Sequence, residues 1–316
     1  MHNYDSHKYE SRGVQKVRIG WIGVGLLGEA MVERLLASGH HVVAWNREPE
    51  SLARVAAKGA VPASSPAEVG RAAEVVCLCV LDTAAVEDVV FGPQGIVQGP
   101  PRARILVDHS TTMPEPTARM AARLAAEAGM AWVDAPVSGG PGFAREGRLT
   151  LMVGGDEAEV DGVRALFGDL AANATHLGPI GAGQMAKVIN QAICGVGYVM
   201  LAEAVRLAEA SGLDASRIPA ALAGGHADGV LLRYAFPKMA MRDFDPPASL
   251  VRQMLKDLRN VESEARRLAL CLPLVEVAAA RFQAYYDAGG ALRETASVIC
   301  VYDDAEAGGQ DAAGPA

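Results

Sequence analysis

Nowhere in this sequence do about 18 apolar residues run together, the length a helix needs to cross a bilayer. The longest candidate, from Ala192 to Ala202, is shorter and contains Gly195 and Gly197. No membrane partner is expected. Positive charge is also scarce: 29 Lys and Arg against 37 Asp and Glu leave a formal net charge of −8. A sequence-independent grip on nucleic acid requires clustered cations facing phosphates, so no nucleic-acid partner is expected. The five cysteines are Cys77, Cys79, Cys194, Cys271 and Cys300. Cys77 and Cys79 alternate along a strand-like run and lack the spacing and companion ligands of a zinc site. They are read as reduced, apolar fillers in a cytoplasmic protein, and no metal site is expected. Residues 1–15 lack the apolar stretch of a signal peptide and are set aside as a flexible extension. Residues 305–316, rich in Ala, Gly and Asp, read as a disordered tail.

What is present is the composition of an ordinary globular chain, 50% apolar and 21% charged over 316 residues, enough for two domains. Short apolar runs at 17–22, 42–45, 75–80, 105–108, 131–134 and 149–153 have strand character. Helix-like segments at 26–38, 50–58, 84–90 and 114–128 lie between several of them. Alternation of this kind predicts a mostly parallel sheet with helices on both faces. After Gly178 the strand signals stop, and long helical segments follow at 183–211, 249–270 and 273–288. The glycine-rich stretch from Gly178 to Gly183 marks the junction. The expected fold class is an α/β domain over 16–178 joined to an all-α domain over 179–304.

The first strand leads into Gly23-Val24-Gly25-Leu26-Leu27-Gly28, a GxGxxG arrangement at the opening of a helix. The first glycine permits a tight turn, the second admits a pyrophosphate close to the backbone, and the third lets helix and strand pack closely. The helix start supplies free N–H groups and partial positive charge. Strand, turn and helix in this order predict a Rossmann-like dinucleotide site contacted by Gly23, Gly25, Leu26, Leu27 and Gly28. At the tip of the second strand, where an acidic residue would bind the ribose of NAD, the chain has Asn46 and Arg47. A guanidinium suits a 2′-phosphate, so NADP is expected in preference to NAD. The alternative is a solvated arginine paired with Glu48.

Three further blocks accompany the glycines. One runs from Asp134-Ala135-Pro136-Val137-Ser138-Gly139-Gly140 through Ala144, Gly147, Leu149 and Thr150 to Met152-Val153-Gly154-Gly155. Another is Gly181-Ala182-Gly183 followed by Lys187, Asn190 and Gln191, and the last is Lys256-Asp257-Leu258. With these four blocks the chain resembles the β-hydroxyacid dehydrogenases, a family that includes 3-hydroxyisobutyrate dehydrogenase and 2-hydroxy-3-oxopropionate (tartronate semialdehyde) reductase. The resemblance extends from about Val17 to Tyr302. It implies a Rossmann-like domain plus an all-helical domain, assembled as a homodimer or homotetramer. It also implies NAD(P)-dependent hydride transfer to or from a small β-hydroxyacid or semialdehyde. In that family the Lys187 position is catalytic, the Ser110-Thr111 position lies beside cofactor and substrate, and the Lys256 position lies near the nicotinamide. Relatives often carry phenylalanine where this chain has Ser249.

The residues support chemistry of that kind. Reducing a carbonyl requires a proton for the developing alkoxide, and a lysine ammonium both stabilises and protonates it. Lys187 near a helix start fits, since the positive dipole end favours the neutral amine. Asn190 and Gln191 share its face at helical spacing. Ser138, Gly139 and Gly140 follow a strand and form a turn able to bind a carboxylate substrate. Ser110 and Thr111 follow another strand, or cap the helix beginning near Pro114. Leu81 and Asp82 follow the 75–80 strand and are expected to meet the cofactor through backbone groups. Lys256 also fits an exposed charged helix face. Two competing readings remain: imine reduction on the same architecture, whose enzymes generally lack the lysine, and a non-catalytic dehydrogenase-like scaffold.

Overall fold

The computed structural model describes residues 17–303. The extension expected at 1–15 and the tail expected at 305–316 lie outside them. Strands β1 (Arg18–Ile22), β2 (His41–Trp45), β3 (Val61–Pro62), β4 (Val75–Leu78), β5 (Ile105–Asp108) and β6 (Ala131–Asp134) alternate with helices α1 (Leu26–Ala37), α2 (Pro49–Ala56), α3 (Pro66–Ala72), α4 (Thr83–Phe91) and α5 (Pro114–Ala128). Then come β7 (Val137–Ser138), α6 (Gly140–Arg145), β8 (Leu149–Gly154), α7 (Glu157–Leu170) and β9 (Ala171–Gly178). The rest is helical: α8 (Ala182–Ala210), α9 (Ile218–Ala221), α10 (Val230–Met241), α11 (Val251–Arg267) and α12 (Pro273–Asp287), with short 3-10 turns.

The strands form one sheet in the order β3-β2-β1-β4-β5-β6-β8-β7, with β9 added beside β8. From β3 to β6 every pairing is parallel, β8 runs antiparallel to β6 and β7, and β9 is parallel to β8. Strands of such a sheet are buried on both faces and need no polar alternation; in β1 only Arg18 is exposed. Met31 and Leu35 of α1 and Val160 and Phe167 of α7 fill one face, while Val69 of α3, Val86 of α4 and Leu124 of α5 fill the other. After β1 the chain winds outward to β3 and then crosses back to β4. That reversal opens a crevice at the carboxyl ends of β1 and β4, the usual ligand position in such sheets.

The helical half is built around α8, which is 29 residues long. By length and composition it is able to cross a membrane. The helix was expected at 183–211, and no membrane span was, because its longest apolar run, from Ala192 to Ala202, is short and contains Gly195 and Gly197. Its inner face packs Val188, Tyr198, Val199, Ala202 and Val205 against α10, α11 and α12. Gly195 and Gly197 make this approach possible: a Cβ there would stand 2.5 Å from Leu258 and 2.6 Å from Leu231. The outer face leaves Ile189, Ile193, Met200 and Leu207 exposed.

Candidate active site

The glycine turn at the end of β1 shows three different requirements. A Cβ on Gly23, whose φ is +98°, would lie 2.3 Å from the Cys79 carbonyl, so the turn closes only with glycine. A Cβ on Gly28 would lie 2.1 Å from the Gly23 carbonyl. A Cβ on Gly25 would meet no protein atom within 4 Å. Gly25 caps α1 and offers no side chain to the first turn, so the N–H groups of Leu26, Leu27 and Gly28 face an open cradle. Such a cradle fits a pyrophosphate. Two side chains hold the turn. The buried Trp21 indole donates to the Gly23 carbonyl at 2.9 Å, and Asn46 Oδ1 accepts from Val24 N–H at 2.7 Å. Asn46 therefore supports the loop in addition to standing at the β2 tip. Arg47 beside it is paired with Glu48, Nη2 to Oε1 at 2.9 Å, with the arginine side chain 85% exposed.

The catalytic-helix candidates converge on the same sheet edge. At the end of β6 the buried Asp134 carboxylate accepts from Gly181 N–H and Gln184 N–H, each at 2.8 Å, and so caps α8. Burial raises the Asp134 pKa, and the amide N–H groups work against that rise. Gln184 is fully buried and bridges to the Ser110 carbonyl at 2.8 Å and the Thr112 N–H at 3.0 Å. One turn further, Lys187 is buried, and its Nζ donates to the Val137 carbonyl at 2.7 Å. Val137 opens the turn to Ser138, Gly139 and Gly140, where both glycines have positive φ, +133° and +74°. Lys187 thus stands beside the turn expected to hold a carboxylate. Desolvation lowers its pKa, opposed by the Asp257 carboxylate. The expectation had rested on the helix dipole; burial is the principal physical cause.

Asn190 and Gln191 lie on the same side of α8 as Lys187. Asn190 Nδ2 donates to Gln191 Oε1 at 2.7 Å, and Gln191 Nε2 donates to Asp257 Oδ2 at 2.5 Å. From α11, Lys256 reaches across to the sheet half and donates to the carbonyls of Leu81 at 2.9 Å and Thr111 at 3.1 Å. Its Nζ also lies 2.8 Å from Asp257 Oδ1, an ion contact without hydrogen-bond geometry. Lys256 therefore does not lie on a solvated charged face. Ser110 and Thr111 do not cap α5, whose N-cap is Met113; Ser110 Oγ instead accepts from Val80 N–H at 3.0 Å. Asp82 is itself the cap of α4, accepting from Ala85 N–H at 2.9 Å, while the neighbouring Leu81 is exposed. Asp108, paired in register with Asp134, accepts from Ser110 N–H at 2.9 Å and is pushed up to about 7 by burial. Ser249 belongs to a polar cluster, its Oγ 2.7 Å from Thr295 Oγ1 and its N–H on the buried Glu294 carboxylate at 3.1 Å.

Asp134, Gln184, Asp257 and Trp21 were not expected as site residues. Asp134 and Asp257 stood inside motifs already singled out, and a buried carboxylate beside a glycine-rich helix start is a readable signal. Gln184 and Trp21 carried none. Among the described residues no group of three or more His, Cys, Asp or Glu is placed to hold a metal, and all five cysteines are free.

A mostly parallel sheet with a glycine cradle at its switch point is the architecture of an NAD(P)-binding protein. The family described as the NAD binding domain of 6-phosphogluconate dehydrogenase matches residues 18–178. The one described as NAD-binding of NADP-dependent 3-hydroxyisobutyrate dehydrogenase matches residues 181–302. Among curated relatives, 2-hydroxy-3-oxopropionate reductase of Escherichia coli (strain K12) is 37% identical over 259 residues, covering 81% of this chain and 87% of that one. Among solved structures, Mycobacterium tuberculosis 3-hydroxyisobutyrate dehydrogenase with L-serine superposes with a TM-score of 0.78 at 28% identity, over 91% of this chain and 99% of the other. Psf3 in complex with NADP+ and 2-OPP gives 0.82 at 25% identity, over 90% and 99%. The chain belongs to the 3-hydroxyisobutyrate dehydrogenase family, also called the β-hydroxyacid dehydrogenases, and is an NAD(P)-dependent oxidoreductase acting on CH–OH groups.

Proposed function

We propose that this chain uses NADP(H) in preference to NAD(H) to interconvert a small β-hydroxyacid and its semialdehyde, with Lys187 as general acid and base. The semialdehyde 2-hydroxy-3-oxopropionate is the first candidate, the substrate named for the Escherichia coli relative. One observation carries the reading: a buried lysine amine bonded to the Val137 carbonyl at the mouth of the Ser138–Gly140 turn. The bound nicotinamide supplies the hydride. In the reductive direction, Lys187 stabilises the oxygen that gains charge and delivers a proton to it. Burial makes that transfer easier by disfavouring the charged amine. Ser138, Gly139, Gly140 and Asn190 orient the substrate carboxylate, and Gln191 holds Asn190 in place through its bond to Asp257. Gly23, Gly25, Leu26, Leu27 and Gly28 cradle the pyrophosphate. Asn46 and Arg47 stand at the adenosine ribose, and Leu81, Asp82, Ser110, Thr111 and Lys256 border the nicotinamide end.

The exposed apolar stripe of α8, Ile189, Ile193, Met200 and Leu207, supports assembly as a homodimer or homotetramer. The free thiols fit a reducing, cytoplasmic setting. The deciding experiment follows NADPH consumption over a panel of small semialdehydes and keto acids, comparing the parent with Lys187→Ala. The expected result is turnover by the parent and a loss of about 10³-fold in kcat for the variant, with NADPH affinity retained. A parent that binds NADPH but turns over nothing in the panel, or a variant as active as the parent, overturns the proposal.

A further inference from the structure

Arg47 is expected to meet the 2′-phosphate of NADP, yet its guanidinium already has an anion. Both its Nε and an Nη lie 2.9 Å from Glu48 Oε1. The same carboxylate reaches the other residue of the β2 tip: Asn46 Nδ2 donates to Glu48 Oε2 at 3.1 Å and to the Glu48 carbonyl at 3.1 Å. One acidic side chain therefore engages both polar groups placed to read the ribose end of the cofactor. Glu48 has no competing structural duty. It is the N-cap residue of α2, but its side chain makes no cap hydrogen bond, and that side chain is 58% exposed.

We propose that Glu48 is the specificity-determining residue of the cofactor site, an internal stand-in for the 2′-phosphate that NADP(H) must displace and NAD(H) need not. The inference rests on the reading of Arg47 given above. A phosphate monoester brings about −1.5 to −2 charges, and a carboxylate already seated on the same guanidinium competes for its donors and repels the newcomer. A ribose carrying a free 2′-hydroxyl brings no charge, and a carboxylate accepts a hydrogen bond from such a hydroxyl. The consequence is a muted preference, with NADPH still favoured by Arg47 but NADH admitted. Removing the charge while keeping the shape releases Arg47 for the phosphate.

The test measures dissociation constants of NADPH and NADH by nucleotide fluorescence for the parent, Glu48→Gln and Arg47→Gln, with thermal melting as a check of folding. Glu48→Gln is expected to tighten NADPH about fivefold, the weight of one exposed charge pair, with NADH changing less than about twofold. Arg47→Gln is expected to weaken NADPH and spare NADH. An unchanged or reduced affinity for NADPH relative to NADH in Glu48→Gln overturns the role of Glu48, and the Arg47 reading then still stands if Arg47→Gln lowers that relative affinity. If neither variant moves it, both readings fail.

Discussion

Replacing Gly183 by alanine tests how tightly the start of α8 is positioned. An ideal Cβ at this residue would stand 2.4 Å from the Met152 carbonyl oxygen, 2.7 Å from the Asp134 carbonyl oxygen and 2.9 Å from Asp134 Oδ2. Ordinary contact begins at 3.4 Å, so helix and sheet must part by about 1 Å. The nearest obstacles are backbone atoms of β8 and β6 and have no rotamer to escape into. Parting them stretches the two 2.8 Å bonds by which Asp134 caps α8. Overpacking costs about 1–3 kcal/mol, and weakening a charge-assisted bond adds about 1 kcal/mol; the better helix propensity of alanine returns about 1 kcal/mol. The expected net loss of stability is about 2 kcal/mol. Lys187 lies one turn along the same helix, and a shift of about 1 Å in a reacting group costs on the order of 100-fold in rate. Urea unfolding followed by circular dichroism reads the first quantity and steady-state kcat the second. NADPH affinity should hold, because the glycine cradle is elsewhere. Gly142→Ala is the control, since a Cβ there meets nothing within 4 Å. Parent-like stability and kcat in Gly183→Ala would refute the argument that backbone contact places Lys187.

The other predictions follow the same geometry. Gly25→Ala should fold with parent-like stability, having no atom within 4 Å of the new methyl, yet bind NADPH at least about tenfold more weakly; nucleotide titration checks this, and undiminished binding contradicts the cradle. Gly28→Ala, with its Cβ 2.1 Å from the Gly23 carbonyl, should instead lose stability, by about 2 kcal/mol in urea unfolding. Carbonyl reduction needs protonated Lys187, so kcat/KM should be level below the amine pKa and fall as pH rises through it. Burial places that limb below the ordinary lysine value of 10.5, and Asp257→Asn should move it lower still, because the Asp257 charge favours the ammonium; a pH profile unmoved by Asp257→Asn counts against Lys187 as the titrating acid. Ile193→Glu, at a residue 68% exposed, should shift sedimentation toward the monomer without lowering the melting temperature of the isolated chain.

Much of the molecule was legible in the amino-acid order wherever the physics is local. The parallel strands at 105–108 and 131–134 and the helix at 114–128 have the expected bounds, because apolar runs and proline starts mark them directly. Helix α3 was missed although Ser65 caps it, since it is only seven residues long. Helix α7 was not expected, although Val160, Val163, Leu166, Phe167 and Leu170 mark its buried face at helical spacing. Helix α10 carries Pro237 in its interior, which ordinarily argues against a helix. Strand β9 alternates exposed and half-buried residues from Asn173 onward and exists because β8 offers it a pairing edge.

The dinucleotide turn and the lysine helix were determined by sequence, since glycine spacing and a polar face at helical period are short-range properties of the chain. Which side chains hold those parts against each other was decided in three dimensions. Asp134 lies 50 residues from Gln184, and Lys256 lies 175 residues from Leu81 and 145 from Thr111. Only an assembled sheet and a folded-back α11 bring such partners within hydrogen-bond reach. The same holds for the charge state of Lys187. A lysine in a sequence is an exposed cation by default, and burial beside Val137 is what shifts it toward the neutral amine.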